Sequence, residues 1–443
     1  MTTTRTLSQW LDYMASIHVS AIDMGLQRVL PVAKHLGILK ENLDPKPYIF
    51  TVAGTNGKGS TTATIAQICQ AAELKTALYQ SPHLVSFTER VKINGVEVDE
   101  DTLTCAFEKV EQARIQCGLS LSFFEMTTLA SFVIFKQANC DVWVLEIGLG
   151  GRLDVVNIID PDVAVITNIG IDHTDWLGSD IQNIAEEKAG IIRHGIPVVI
   201  GADVPSRVHD IAMQNAATVY QLGQDYDYHH DGLSDVWQYA CGSRTLNLPM
   251  PKLSVQNAAT AISSVLVSNL AINEKHIAQA MRQVQLAGRF DRRMIKNRQW
   301  LFDVAHNEHG MTFFLSQFIP YWRDYQHTHP DARLHIIFSM LGDKDVAKVL
   351  DLMQAHIHGG DFRVDTWHTA AILHNRAMPL QNVLKLMDTH LTDANIVSYA
   401  TLSDAATGVI QATCEQDLIL CFGSFHTIGE TLMALLDIRF NEN

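Results

Sequence analysis

Residues 48–60 read YIFTVAGTNGKGS, and the architecture is set by them. Tyr48–Ala53 is rich in aromatic and β-branched side chains, the composition of a buried strand. Ser60–Ala72 carries Ile65, Ile68, Cys69 and Ala72 at helical spacing. Between them stands Gly54-Thr55-Asn56-Gly57-Lys58-Gly59-Ser60. Glycines at such a strand-to-helix turn let backbone amides point inward and cradle phosphate oxygens, and the helix amino terminus adds a partial positive charge. Lys58 can reach the β- and γ-phosphates, and Ser60 can touch Mg²⁺ or a phosphate. The loop is shorter than the usual G-x-x-x-x-G-K-[ST], and Gly59 separates the lysine from the serine. The reading is a site for Mg-ATP.

Working outward, strand and helix patterns alternate. Thr76–Tyr79, Val142–Glu146, Val163–Asn168 and Val198–Ile200 read as strands, and Thr127–Gln137 and Ile181–Ala189 as helices. This predicts a mostly parallel sheet with helices on both faces. Val236–Leu248 suggests a hairpin. Val255–Leu270 and Glu274–Val284 read as helices, the second capped by Asn273. The polar, basic stretch 286–296 is expected to link two domains, residues 1–285 and 297–443. In the second, smaller one, strands are expected at Trp300–Val304, His335–Ser339, Phe362–Thr366 and Leu418–Phe422, with helices at Asp345–Met353 and Leu380–Met387. The fold class is α/β: a phosphate-loop domain followed by a Rossmann-like domain.

Composition narrows the function. Apolar residues make up 47% and charged residues 18% of 443, a globular balance. A net charge of −15 repels nucleic acid backbones, so anionic substrates need local cations and amides. Neither a signal peptide nor a stretch of about 20 apolar residues is visible, so a cytoplasmic location without membrane contact is expected. The seven cysteines show no C-x-x-C spacing, which argues against a disulfide framework; most are expected to fill the core. His306 and His309 have H-x-x-H spacing, but nothing nearby completes a zinc set.

Hard oxygen ligands stand at strand ends. Glu146 closes a strand before a glycine-rich turn, and Asp172-His173 follow another; Mg²⁺ needs few protein oxygens because it keeps its waters. Lys188, by position alone, reads as a solvated lysine near a helix carboxyl end. Arg289 can neutralise a phosphate, and Asp303 can hold ribose hydroxyls.

These segments stand in one order with Ser81-Pro82-His83-Leu84, Phe124-Glu125, Glu146–Asp154, Asp172-His173-Thr174-Asp175, Glu187-Lys188-Ala189-Gly190, Gly288-Arg289-Phe290, Asp303–Asn307 and Phe422-Gly423-Ser424-Phe425. The chain thereby resembles the folylpolyglutamate synthase/dihydrofolate synthase family of the Mur ligase superfamily over nearly its whole length. The resemblance implies an ATP-dependent ligase joining L-glutamate to 7,8-dihydropteroate and to reduced folates through an acyl phosphate. It implies catalytic roles for Lys58, His173, Lys188 and Arg289. Gly54–Ser60 would hold the ATP phosphates, and Asn257, Arg289 and Asp303 would complete the nucleotide site. Two Mg²⁺ ions would rest on Ser81, Glu146, His173 and a Lys188 carbamylated by CO₂. The pterin would lie against Ser122, Phe123, Phe124 and Glu125, with Leu153, Asp154 and Val155 opposite and the Asp23–Arg28 loop covering it. His306 and Ser424 would serve glutamate, and the enzyme would act as a monomer. Two departures stand out. Asp154-Val155-Val156-Asn157 replaces the family's usual D-A-T-N, and Glu308 and Gly310 replace the Pro and Ala that usually follow the Asp303 motif. Two rival readings share part of the signal: a Mur-type cell-wall amino-acid ligase, and a nucleotide-switched binding protein without ligase chemistry.

Overall fold

The computed structural model describes residues 5–18, 23–172, 174–230, 235–374 and 376–436. The chain divides into two compact units: residues up to 83 with 87–285, and 84–86 with 286 onward.

The first unit carries strands β1 (Tyr48–Ala53), β2 (Thr76–Tyr79), β3 (Val91–Ile93), β4 (Val96–Glu97), β5 (Val142–Glu146), β6 (Val163–Ile166), β7 (Pro197–Ile200) and β8 (Thr218–Gln221) in one sheet of order β4-β3-β2-β5-β1-β6-β7-β8. Neighbours from β2 to β8 run parallel; β3 and β4 are antiparallel additions at one edge. Alternate residues face opposite sides of a strand, and both sides of this sheet are covered. Ile49, Trp143, Leu145 and Ile166 meet helices 100–117 and 123–137 on one face. Phe50, Val52, Val144 and Val165 meet helices 58–71, 255–266 and 274–283 on the other. Strands buried on both faces read as continuous apolar runs, which is why the sequence marks them so clearly. A small antiparallel sheet of β9 (Tyr226–His229), β10 (Val236–Cys241) and β11 (Arg244–Pro249) packs on the second face and includes the expected hairpin.

The second unit is a six-stranded sheet. Its strands are β12 (Asp291–Ile295), β13 (Arg298–Asp303), β14 (Leu334–Phe338), β15 (Thr366–Ala371), β16 (Ile396–Thr401) and β17 (Leu418–Phe422), in the order β12-β13-β17-β14-β15-β16. Only β12 is antiparallel.

Three expectations need correction. Part of the expected linker is strand β12, paired along its length with β13; its charged residues Asp291, Arg292 and Arg293 and its alternating exposure suit an edge strand with one wet face. The strand expected at 362–366 lies instead at Thr366–Ala371, within TWHTAA, whose polar residues are buried. Of the cysteines, Cys69, Cys140 and Cys421 are buried, whereas Cys105 and Cys414 are exposed. Among the described residues no helix is long and apolar enough to cross a membrane.

Candidate functional site

In the first sheet β1 connects to β2 on one side while the crossover from β5 returns past β1 to β6. Strand order therefore reverses around β1 and β5, the place where open α/β sheets leave a crevice at their carboxyl ends. Gly54–Ser60 follows β1 there. Gly57, at φ 83, caps helix 58–71, a left-handed conformation that suits glycine. A Cβ on Gly54 would lie 1.9 Å from Thr167 Oγ1, so that position admits no side chain as built.

The loop is clamped by the segment after β6. Asn168 Oδ1 accepts from the Asn56 amide at 2.8 Å, and Asn168 O accepts from the Thr55 amide at 3.0 Å. The Thr55 hydroxyl donates to Gly170 O at 3.0 Å, and Thr167 Oγ1 donates to Asn56 O at 2.6 Å. Gln80 reaches the start of the helix, donating to Gly59 O at 2.8 Å. Asn257, on the first turn of helix 255–266, lies against Gly57, where a Cβ would come within 2.5 Å of its Oδ1. Sequence reading missed Asn168 and Gln80 as loop supports; a polar residue just past a buried strand was the available signal.

Two lysines meet over this loop. Lys58 Nζ donates to Gly54 O at 3.0 Å and Thr55 O at 3.3 Å, and Lys188 Nζ donates to Gly54 O at 2.9 Å. Lys188 is 4% exposed, not solvated as its position suggested. Burial, then the charge of Lys58, pulls its amine down to about 7, against Asp172 and Asp154. Glycines make this burial possible. A Cβ on Gly151 would lie 2.6 Å from Glu187 O, and one on Gly190 would lie 2.3 Å from Arg152 Cβ, so the end of helix 181–189 docks directly on the 150–152 turn. A polar pocket opens here, lined by Gly54, Thr55, Lys58, Ile147–Gly150, Asp172 and Lys188.

Glu146, the last residue of β5, is 5% exposed and lies within electrostatic reach of the buried guanidinium of Arg90. Ser81 follows the neighbouring β2, so a hydroxyl and a carboxylate stand at adjacent strand ends. No three His, Cys, Asp or Glu side chains gather to hold a metal among the described residues. Hydroxyl plus carboxylate nevertheless fits Mg²⁺, whose remaining positions go to water and phosphate oxygens. His173 lies outside the described residues.

The residues expected to hold the pterin also assemble. Helix 123–137 begins earlier than expected because Ser122 and Glu125 form a capping box: Ser122 Oγ accepts from the Glu125 amide and Glu125 Oε2 from the Ser122 amide at 2.7 Å. Arg28 bridges Glu125 and Asp23, each at 2.8 Å, and Gly25 N donates to Leu153 O at 3.3 Å, so the Asp23–Arg28 loop spans both expected walls. Phe124 covers Gly148 so closely that a Cβ there would be 2.4 Å from the ring, and Phe123 packs on Phe87. Asp154 accepts from the amides of Leu149 and Val156, both at 2.8 Å; burial raises its carboxyl to about 6, against those amides and Lys58. Val155 is 4% exposed.

In the second unit the expected residues line the carboxyl edge of the sheet. Asp303 ends β13 and accepts from the amides of Phe290 at 2.8 Å and Ala305 at 2.9 Å. Burial raises its carboxyl, chiefly against Arg289, whose guanidinium lies over the Phe425 ring. His306 Nδ1 is 2.7 Å from Val304 O. Ser424 is buried as the cap of helix 425–435, its oxygen accepting from the Thr427 amide at 3.0 Å.

Known proteins resemble the chain along its length. Residues 52–265 match the Mur ligase middle domain. The dihydrofolate synthase/folylpolyglutamate synthase of Escherichia coli is 38% identical, covering 98% of this chain and 96% of that protein. That of Haemophilus influenzae is 33% identical, over 96% and 97%. The structure of E. coli FolC in complex with DHPP and ADP superposes with a TM-score of 0.86 at 37% identity, covering 98% of each chain. A bifunctional folylpolyglutamate synthase/dihydrofolate synthase from Yersinia pestis, complexed with AMPPNP and Mn, gives 0.85 at 37% identity, over 98% and 99%.

Proposed function

The chain belongs to the dihydrofolate synthase/folylpolyglutamate synthase family, ATP-dependent ligases of the Mur type, and on that footing we propose that it adds L-glutamate both to 7,8-dihydropteroate and to reduced folates. The observation that carries the reading is the convergence of Lys58 and the buried Lys188 on Gly54 O, at the mouth of a glycine loop on the sheet's switch point. Near full-length likeness to bifunctional folate enzymes favours it over the cell-wall and switch readings.

A free carboxylate does not react with an amine, because its oxygen is a poor leaving group. In the proposed reaction the acceptor's carboxylate attacks the γ-phosphorus of ATP, ADP leaves, and an acyl phosphate forms. The amine of L-glutamate then attacks the acyl carbon, loses a proton, and expels phosphate. Lys58 places its charge against the transferring phosphoryl group, where fixed charges contribute most. Amides of Gly57–Ser60 hold the phosphates. Arg289, Asn257 and Asp303 are proposed to bind nucleotide, and His306 and Ser424 to serve glutamate. Phe124, Phe123, Leu153 and Val155 offer apolar surface for the pterin, with Ser122, Glu125 and Asp154 framing it.

A divalent cation, two Mg²⁺ ions in our reading, would rest on Ser81, Glu146 and His173 and neutralise phosphate charge when bound. Lys188 fits carbamylation: only a neutral amine adds CO₂, and an amine at about 7 is neutral in large part at physiological pH. Its nitrogen would bond to the carbon and release a proton, turning a cation into an anionic oxygen ligand. We propose that the enzyme works in the cytoplasm as a monomer.

The test is ADP release with Mg-ATP and L-glutamate, with dihydropteroate, with tetrahydrofolate, and with neither. Release that needs glutamate and responds to each pterin is expected. Folded, ATP-binding protein that responds to neither would end the folate reading.

A further inference from the structure

The Gly288-Arg289-Phe290 motif enters the proposed reaction through Arg289 alone, yet the backbone on both sides of that arginine is unusual. Gly288 has φ 70 and Phe290 has φ 45, so Arg289 stands between two left-handed residues. Glycine adopts that conformation freely. Phenylalanine does not, because its Cβ crowds the backbone there. Among the described non-glycine residues with positive φ, Phe290 is the one aromatic side chain, and most of the others are Asn or Asp, which tolerate the region. A residue held this way persists only where its surroundings over-determine it.

Both the amide and the ring of Phe290 are fixed. The amide donates to Asp303 Oδ2 at 2.8 Å. The turn is closed around it: Arg289 N donates to Leu286 O at 3.2 Å, Val304 N to Gly288 O at 3.0 Å, and Gly288 N to Asp291 Oδ2 at 3.1 Å. The half-buried ring packs on helix 308–328, its centroid 6.1 Å from that of Phe314 and 5.6 Å, edge-on, from that of Tyr321. Phe314 is buried and stacks on Phe422, the last residue of β17. Phe425 follows shortly after, and the Arg289 guanidinium lies 5.3 Å over its ring. A column of aromatic rings thus ties the left-handed turn to the segment that carries the arginine's stacking partner. Glycine at 290 would relieve the backbone but lose this anchor.

We propose that Phe290 is a positioning residue: its wedged ring and its amide bond to Asp303 hold the left-handed turn that keeps Arg289 over Phe425 and directed at the nucleotide. Phe290 acts through Arg289 and touches no reacting atom. The proposal rests on the ligase reading above, in which Arg289 binds nucleotide.

The experiment measures kcat and KM for Mg-ATP, L-glutamate and dihydropteroate in full-length wild type, F290G, F290A, F290L, R289A and the double variant R289A/F290A. Glycine keeps the left-handed φ without strain, so F290G isolates the ring. F290G and F290A are expected to lower kcat/KM for ATP about tenfold and to leave KM for the other two substrates unmoved. F290L, which keeps an apolar anchor, should recover most of that loss. R289A should lower kcat/KM for ATP at least as far, and F290A added to it should cost nothing more, because residues acting through one group are not additive. Equal F290A losses in both backgrounds, or KM rising alike for all three substrates, overturn the proposal, since the ring then only supports the fold. F290G at wild-type efficiency overturns it too. R289A with unchanged ATP kinetics also overturns it, while turnover by wild type that needs glutamate and dihydropteroate keeps the ligase reading. Without such turnover the ligase reading fails, and ATP titration of the same variants decides the role of Phe290: weaker binding in F290A that disappears in the R289A background supports it, and unchanged binding overturns it. Should the variants at 290 fold poorly, Y321A removes the facing wall while leaving the turn's own residues intact; the same selective loss for ATP is expected, and its absence overturns the proposal.

Discussion

Lys188 shows what one position can hide. In sequence it stands where a helix would show a lysine to water, and only the ordered set of motifs pointed elsewhere. Its burial depends on Gly151 and Gly190, two close approaches far apart in sequence, and no local pattern announces them. Lys58 was readable because glycines, lysine and serine are contiguous. Lys58→Ala is expected to lower kcat/KM by about 10²–10³-fold while leaving the fold intact, checked by ADP release and circular dichroism. Lys188→Met should abolish turnover yet raise the melting temperature. Burial pulls the Lys188 amine of the folded chain down to about 7, from the ordinary lysine value of 10.5. Folding therefore costs most below pH 7, and that cost fades as pH rises toward 10.5. In bicarbonate-free buffer the variant's advantage should be several degrees near pH 7 and shrink with increasing pH, as followed by thermal melts.

At the scale of elements, strands with two apolar neighbours were legible and those with polar faces were not. The start of helix 123–137 carries a signal, the S-x-x-E spacing of Ser122 and Glu125, which is easily passed over because the same two residues are expected to meet the pterin. Gly148 is the mirror case, an element end defined by an absent side chain. Gly148→Ala must displace the Phe124 ring, and KM for dihydropteroate is expected to rise about tenfold with ATP affinity unchanged, measured by steady-state kinetics and nucleotide titration. Strand β15 was misplaced because its inward face carries His368, beside His335 on β14, both 1% exposed. Their environment includes Arg333, Asp365, Asp417 and Tyr399. Burial lowers both imidazoles, His368 to about 4. Histidines kept neutral in the fold but free to protonate when unfolded give stability that is complete above about pH 6.5 and lost as pH falls toward 4. His335→Leu should flatten that acid dependence in melts across this range, since neither of its ring nitrogens has a hydrogen-bond partner to lose among the described residues.

For the whole molecule, the alternation of strand and helix sufficed to predict a mostly parallel sheet in the first unit and a smaller Rossmann-like α/β domain in the second. It did not reveal strand order, because the insertion of β5 beside β1 and of β17 beside β13 is decided by packing across the sheet. Each unit has its own pair of apolar layers. Calorimetry is therefore expected to depart from a single two-state transition. Mg-ATP should raise the component belonging to the first unit, which carries the glycine loop, and acid should lower the component containing His335 and His368.

Leu84–Ser86 belongs to the second unit although both its flanks belong to the first. Leu84 is buried with Val304 and Ile428, and its carbonyl sits where a Cβ on Gly429 would come within 2.3 Å. During synthesis these three residues leave the ribosome some 200 residues before their partners, the interval from 86 to 286. The first unit can assemble as it emerges, but Leu84 has no home until nearly the last helix is made. A gene fragment starting at 286 would encode a second unit with an empty socket, and supplying a leucine-bearing peptide spanning 84–86 is the natural way to fill it.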